Sequence, residues 1–80
     1  MYFVYVLKSE IENRLYKGMT NDIDRRVYEH NHGKNKSTKP YRPWKLVYKE
    51  EFSTFEEARK RELFFKSGFG REQLKKILDS

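Results

Sequence analysis

The first apolar run, Tyr2 to Leu7, is apolar on both faces, the pattern of a strand buried on two sides rather than one. Its β-branched and aromatic residues suit the centre of a sheet. Ser9 to Arg14 is polar and turn-like, and Leu15–Met19 predicts a second strand that closes a hairpin. Thr20, Asn21 and Asp22 are N-cap candidates. Asp22 and Asp24 favour the first turn of a helix predicted from about Asp22 to Asn31, closing near Gly33. Lys34 to Pro43 reads as a loop bounded by Pro40 and Pro43, and Trp44 to Phe52 as a third strand. Ser53-Thr54-Phe55-Glu56 has the form of a capping box, and Thr54 with Glu57 offers a second one. The helix that follows runs to about Ser67, where Gly68 and Gly70 predict a break. Arg71 to Leu78 is then a short terminal helix with Leu74, Ile77 and Leu78 inward. The order ββαβαα predicts an α+β fold, one sheet covered by helices, in a single domain over residues 1–80.

Charge changes this picture more than composition does. The net charge is +6, and from His30 to Lys49 there is no acidic residue to set against Lys34, Lys36, Lys39, Arg42, Lys45 and Lys49. The remaining residues carry twelve basic and twelve acidic side chains, so this segment holds the entire excess. Such a segment attracts polyanions through phosphate contact and counterion release, although a merely solvated loop has the same composition. No basic amphipathic helix accompanies it to favour a membrane surface. The longest apolar stretch is far short of the roughly 20 residues that span a bilayer. The absence of cysteine excludes a disulfide framework and thiolate metal sites, and together with the lack of a secretory signal it predicts a cytoplasmic protein.

Several polar residues stand where packing alone would not have chosen them. At 100° per residue, Phe55, Ala58 and Phe65 share one stripe of the second helix, and Glu62 lies in it. A buried carboxylate is costly unless it is paired or binds a cation. Two partners are open to it: an ion pair with Arg59 or Lys66, or a Mg²⁺ ion that keeps most of its waters. In the first helix, Ile23 and Val27 mark the inward face, with Arg26 and His30 beside them and Arg25 turned to solvent. Arg26 cannot shed its charge and needs a carboxylate, a phosphate or carbonyls to face. His30 at a helix edge is open to a structural or a catalytic role. Tyr5 and Tyr16 fall on the two strands of the hairpin, with Gly18 at a position that marks a bulge or a close approach. Aromatic packing across the hairpin explains the tyrosines equally well.

Phe3-Val4-Tyr5 and Tyr16-Lys17-Gly18, separated by a polar turn, resemble the two halves of the GIY-YIG endonuclease signature. The resemblance continues through Thr20 to Arg26 and His30-Asn31-His32-Gly33. It then takes in Pro43, Trp44 and Leu46-Val47-Tyr48, and finally Ala58, Glu62 and Lys66, so it covers nearly the whole chain. It is similar to the small stand-alone branch that resembles the amino-terminal nuclease domain of the excision-repair endonuclease. The resemblance implies a central three-stranded antiparallel sheet flanked by helices. It implies that Tyr16 activates the attacking water with Tyr5 beside it, and that Arg26 contacts the scissile phosphate. It implies further that His30 assists proton transfer or phosphate contact and that Glu62 holds one divalent metal ion, Mg²⁺ or Mn²⁺. A free tyrosine has a pKa near 10, so Tyr16 needs a neighbouring cation or must act through metal-bound water. Phe3 replaces the first glycine of the signature. Met19 stands where the repair branch carries a lysine, which leaves a lysine-assisted proton relay without its lysine.

Two functions from different classes follow. The first is a metal-dependent DNA endonuclease, structure-selective or non-specific, serving repair or recombination. In it Lys34, Lys36, Lys39, Arg42 and Lys45 hold nucleic acid, and a partner protein or a homodimer extends the reach. The second is a nucleic-acid-binding module that keeps the fold and cleaves nothing.

Overall fold

A strand that is apolar on both faces can bury itself only with a layer on each side, and in the computed structural model β1 (Tyr2–Ser9) is the middle strand of the sheet. The structure describes residues 1–79. β2 (Leu15–Thr20) and β3 (Trp44–Phe52) flank β1, both antiparallel, in the order β2-β1-β3. The elements follow the predicted order, with α1 at Ile23–Asn31, α2 at Phe55–Lys66 and α3 at Gly68–Asp79. The register places Tyr5 opposite Gly18 and Leu7 opposite Tyr16, and the β1–β3 pairing slips at a bulge between Val6 and Leu7.

Side chains alternate across β1, so the sheet divides the interior into two cores. Val4 and Val6 pack with Ala58, Phe65 and Leu74 under α2 and α3. Tyr5 and Leu7 pack with Trp44 on the opposite face, where α1 contributes Ile23 and Val27. Each fully buried apolar side chain of this size stabilises the fold by about 1.5–3 kcal/mol.

Local chemistry sets the helix ends. Asp22 caps α1 by accepting from the Arg25 amide at 3.1 Å. The helix closes where Gly33 adopts φ +74° and the Lys34 amide donates back to the Glu29 carbonyl at 3.0 Å. Of the two capping boxes predicted for α2, the later one forms: Thr54 accepts from the Glu57 amide at 3.2 Å. β3 is tied to α2 by a bidentate ion pair, with Arg61 Nε at 2.7 Å and Nη2 at 3.1 Å from the Glu50 carboxylate.

Three local expectations need correction. Phe55, assigned to the inward stripe of α2, is half exposed, with an edge contact to Tyr2, because it is the first residue of the helix and not in its buried middle. The segment 34–43 is not all loop, since Lys39–Tyr41 forms one 3₁₀ turn. Gly68 and Gly70 do not break a helix. The break is at Ser67, whose backbone is extended and whose hydroxyl accepts from the Gly70 amide at 3.1 Å, starting α3.

Gly70 is instead a close-approach position. A Cβ there would lie 1.7 Å from the Phe64 carbonyl oxygen, so α3 can fold back on the end of α2 only with hydrogen in that place. Gly70→Ala is therefore expected to destabilise the protein by about 3 kcal/mol or more, measured by urea denaturation, whereas Gly68→Ala, which meets nothing, leaves stability unchanged or slightly raised.

Candidate functional site

The α1 face of the sheet carries a polar chain inside an otherwise aromatic core. The Tyr5 hydroxyl lies 3.0 Å from His30 Nε2, and His30 Nδ1 lies 2.8 Å from Thr38 Oγ1. Thr38 Oγ1 in turn donates to the Asn35 carbonyl at 3.4 Å. With the threonine proton directed at Asn35, Nδ1–H donates to Thr38 and Nε2 accepts from the Tyr5 phenol, which assigns the His30 tautomer from the network. The Thr38 carbonyl accepts from the Trp44 indole at 2.8 Å. Asn31 fastens the same region by accepting from the Trp44 amide at 2.6 Å and donating to its carbonyl at 3.0 Å. The basic loop is thus anchored at both ends to α1 and β3.

Gly18 makes room for this chain. A Cβ at Gly18 would sit 2.6 Å from the Tyr5 hydroxyl and 3.1 Å from Tyr16 Cε2, so both rings lie across bare β2 backbone. Tyr16 packs on His30 with ring centroids 4.7 Å apart and on Tyr5 at 6.2 Å. The two phenols differ in access. Tyr5 is 1 % exposed and His30 0 %, whereas Tyr16 is half-buried and its hydroxyl makes no hydrogen bond among the described residues.

The electrostatics centre on Tyr5. Burial pushes its phenol up to about 12, the Arg26 guanidinium pulls against that, and Tyr16 and Glu62 add to it. Tyr5 therefore stays protonated throughout the physiological range. Burial and then the Arg26 charge hold the His30 imidazole below its ordinary value, against a smaller pull from Glu29, so His30 is neutral near pH 7. Burial draws Arg26 down, but hydrogen bonds to Tyr5 and Glu29 outweigh it and leave the guanidinium above its ordinary value. Arg26 Nη1 meets Glu29 Oε1 at 3.0 Å on a partly exposed part of α1.

Tyr5, Tyr16, Gly18, Arg26 and His30 thus come together. Glu62 stands apart from them: it is buried on α2, whose core is on the other face of the sheet, and among the described residues no hydrogen bond or ion pair joins it to the group. It forms the ion pairs open to it, with Lys66 Nζ at 3.4 Å and Arg59 Nη1 at 3.9 Å. Among the described residues no three Asp, Glu, His or Cys side chains gather as a metal cage. Glu62 is a hard oxygen donor with one long-range and one flexible cationic partner, which suits a divalent ion that retains its waters. The loop residues Lys36, Lys39 and Arg42 line a shallow concavity with Asn31, Pro40 and Pro43, and Lys34 and Lys45 are exposed nearby in the chain. Thr38 is the member of the site that sequence reasoning missed. A threonine among Lys, Asn and Ser carries no signal of burial.

A sequence model of the GIY-YIG catalytic domain matches residues 1–76. The chain is similar to a UPF0213 protein of Staphylococcus epidermidis, 43% identical over 77 residues that cover 95% of this chain and 93% of the relative. It is 47% identical over 66 residues to the UPF0213 protein YazA of Bacillus subtilis, covering 81% and 66% of the two chains. The solution NMR structure of a UPF0213 protein from Bacillus halodurans is similar at 36% identity and TM-score 0.58, over 96% of this chain and 85% of that one. No helix among the described residues is long and apolar enough to cross a membrane.

Two outcomes are expected from the site's interior. The unfolded His30 imidazole takes up a proton near its ordinary value of 6.5 while the folded one resists it. The stability it contributes is therefore full above that pH and lost as the pH falls toward the folded value. Urea denaturation from pH 8 to 5 should show this acid limb, and His30→Gln should shrink it. Gly18→Ala drives a methyl group into the Tyr5 hydroxyl, so it should cost about 2–3 kcal/mol and shift the His30 ring resonances in NMR spectra.

Proposed function

Because the chain belongs to the GIY-YIG catalytic-domain family, we propose that it is a divalent-metal-dependent endonuclease that hydrolyses phosphodiester bonds in DNA, with roles in repair or recombination. The observation that carries this reading is the cluster built over Gly18: Tyr5 is hydrogen-bonded to His30 at 3.0 Å, and the more accessible Tyr16 packs on both rings. The aromatic core on the α1 face thereby holds an accessible phenol beside a cation, while Glu62 stands on α2, whose core is on the other face of the sheet.

Hydrolysis needs a water to attack phosphorus while the bond to the leaving oxygen breaks, with negative charge building on the phosphate. The partly exposed Arg26 guanidinium is suited to donate to that phosphate, and Glu29 on the same helix steadies it. Tyr5 is protonated and buried, so it is a positioning residue: it donates to His30. Tyr16 is the phenol that a substrate water can reach, and it takes the water's proton when ionised. His30 and Thr38 hold the aromatic pair in place rather than touch substrate, since both are buried. Glu62 would hold Mg²⁺ or Mn²⁺ after Lys66 swings off its carboxylate. The bound ion would supply charge neutralisation on the phosphate and lower the pKa of water. The loop residues Lys34, Lys36, Lys39, Arg42 and Lys45 bind the DNA backbone. Met19 lies on the opposite face of β2 from Tyr16, packed in the α2–α3 core, where a lysine could not serve the phenol without crossing the sheet.

The ion pairs of Glu62 favour the other reading, a binding module in which Lys66 permanently occupies the metal's place. Nicking of supercoiled and branched DNA with Mg²⁺ or Mn²⁺ separates the two. Wild type is expected to cut, and Glu62→Gln, Arg26→Ala and Tyr16→Phe each to lower the rate by about 10²–10³-fold. DNA binding without cutting on any substrate would establish the binding module instead.

A further inference from the structure

The twelve basic and twelve acidic residues outside segment 30–49 cancel in the sequence, but the fold does not distribute them evenly. Lys8 on β1, Lys17 on β2, and Arg71 and Lys75 on α3 line a half-enclosed groove of about 680 Å³ between the sheet and α3. Its floor is apolar, built from Leu15, Val47, Leu74 and Leu78. Asp79 is the one acidic residue lining it, and among the described residues none of the four cations forms an ion pair or side-chain hydrogen bond. Lys17 registers the crowding: burial first, and then the charges of Arg71 and Lys66, hold its ammonium below the ordinary value. Four cations against the single carboxylate of Asp79 leave an excess of positive charge around the apolar floor, and an anion of matching shape relieves it.

We propose that this groove binds a single-stranded nucleic-acid segment, its phosphates against Lys8, Lys17, Arg71 and Lys75 and a base on the apolar floor. A duplex keeps its bases stacked and cannot reach the floor of a concave groove, whereas a single strand can splay a base into it. The floor is aliphatic rather than aromatic, so binding is shape- and phosphate-directed and tolerant of sequence. The groove lies on the α3 face of the sheet, whereas the basic loop and the Tyr5–Tyr16 cluster share the α1 face. A substrate that engages both is a duplex with a single-stranded arm. This deepens the nuclease reading and rests on it for the substrate, but not for the binding itself.

Binding of a fluorescent oligothymidylate in EDTA, followed by anisotropy over a range of salt, tests the groove without any cleavage. The variant Lys8→Ser/Arg71→Ser/Lys75→Ser changes exposed side chains only. It is expected to weaken binding by at least about tenfold and to flatten the salt slope by about 2, because three fewer cations neutralise phosphates. Its thermal midpoint should be equal to or above that of wild type, because repulsion is relieved. In wild type, methyl resonances of Leu74 and Leu78 should move on adding the oligonucleotide. Unchanged affinity and salt slope in the triple variant would overturn the proposal. So would stabilisation of wild type, but not the variant, by inorganic phosphate or thymidine monophosphate with oligothymidylate binding unaffected, since the groove would then be a small-anion site. Single-strand binding through the groove with no nicking of any DNA sinks the nuclease reading alone, and nicking with a groove-independent affinity sinks the groove alone.

Discussion

A histidine with no solvent exposure must find a partner for each ring nitrogen inside the protein, and much of this structure follows from how His30 does so. Its Nε2 needs Tyr5 from the central strand, which reaches α1 only because β2 carries glycine at position 18. Its Nδ1 needs Thr38, which draws the middle of a basic, otherwise hydrophilic segment into the core. Thr38 in turn satisfies the Trp44 indole, and Asn31 brackets the Trp44 backbone from the other side. One buried imidazole thus orders the loop, fixes where β3 begins and sets the position of α1 over the sheet.

The same arrangement separates the groups that hold from the groups that act. Low dielectric around Tyr5 keeps its proton on and keeps His30 neutral, so neither competes for charge at the surface. What faces outward is Tyr16 and Arg26, both partly exposed. Arg26 tolerates its partial burial because Glu29 accepts from it at 3.0 Å. The carboxylate of Glu62 sits between two cations of its own helix, a position whose potential is shared between Lys66, Arg59 and any ion that displaces them.

Periodicity found Glu62, because a carboxylate spaced four residues from Ala58 and three from Phe65 must be inward, and it is buried with them. The same periodicity misassigned Phe55, since a stripe cannot say where along a helix burial begins. Arg26 and His30 were legible as residues beside the Ile23–Val27 face, but that His30 is wholly buried and joined to both Tyr5 and Thr38 was not. Gly70 was legible as a helix breaker and is a contact point, because glycine's meaning depends on what lies 1.7 Å from the missing Cβ. The charge excess of 30–49 was visible in one dimension. The groove under α3 was not, because its lysines and arginine come from three elements far apart in the chain.

By itself the sequence determined the order of elements, the central place of β1, the helix caps and the set of polar residues that packing had to accommodate. These are local or periodic properties, fixed by neighbours one to four residues away. Only the tertiary structure decided which of the two tyrosines is reachable, which tautomer His30 adopts, that Thr38 belongs with it, and where the balanced charges collect. Each of these depends on contacts across the sheet, where proximity is set by strand register and helix packing rather than by distance along the chain.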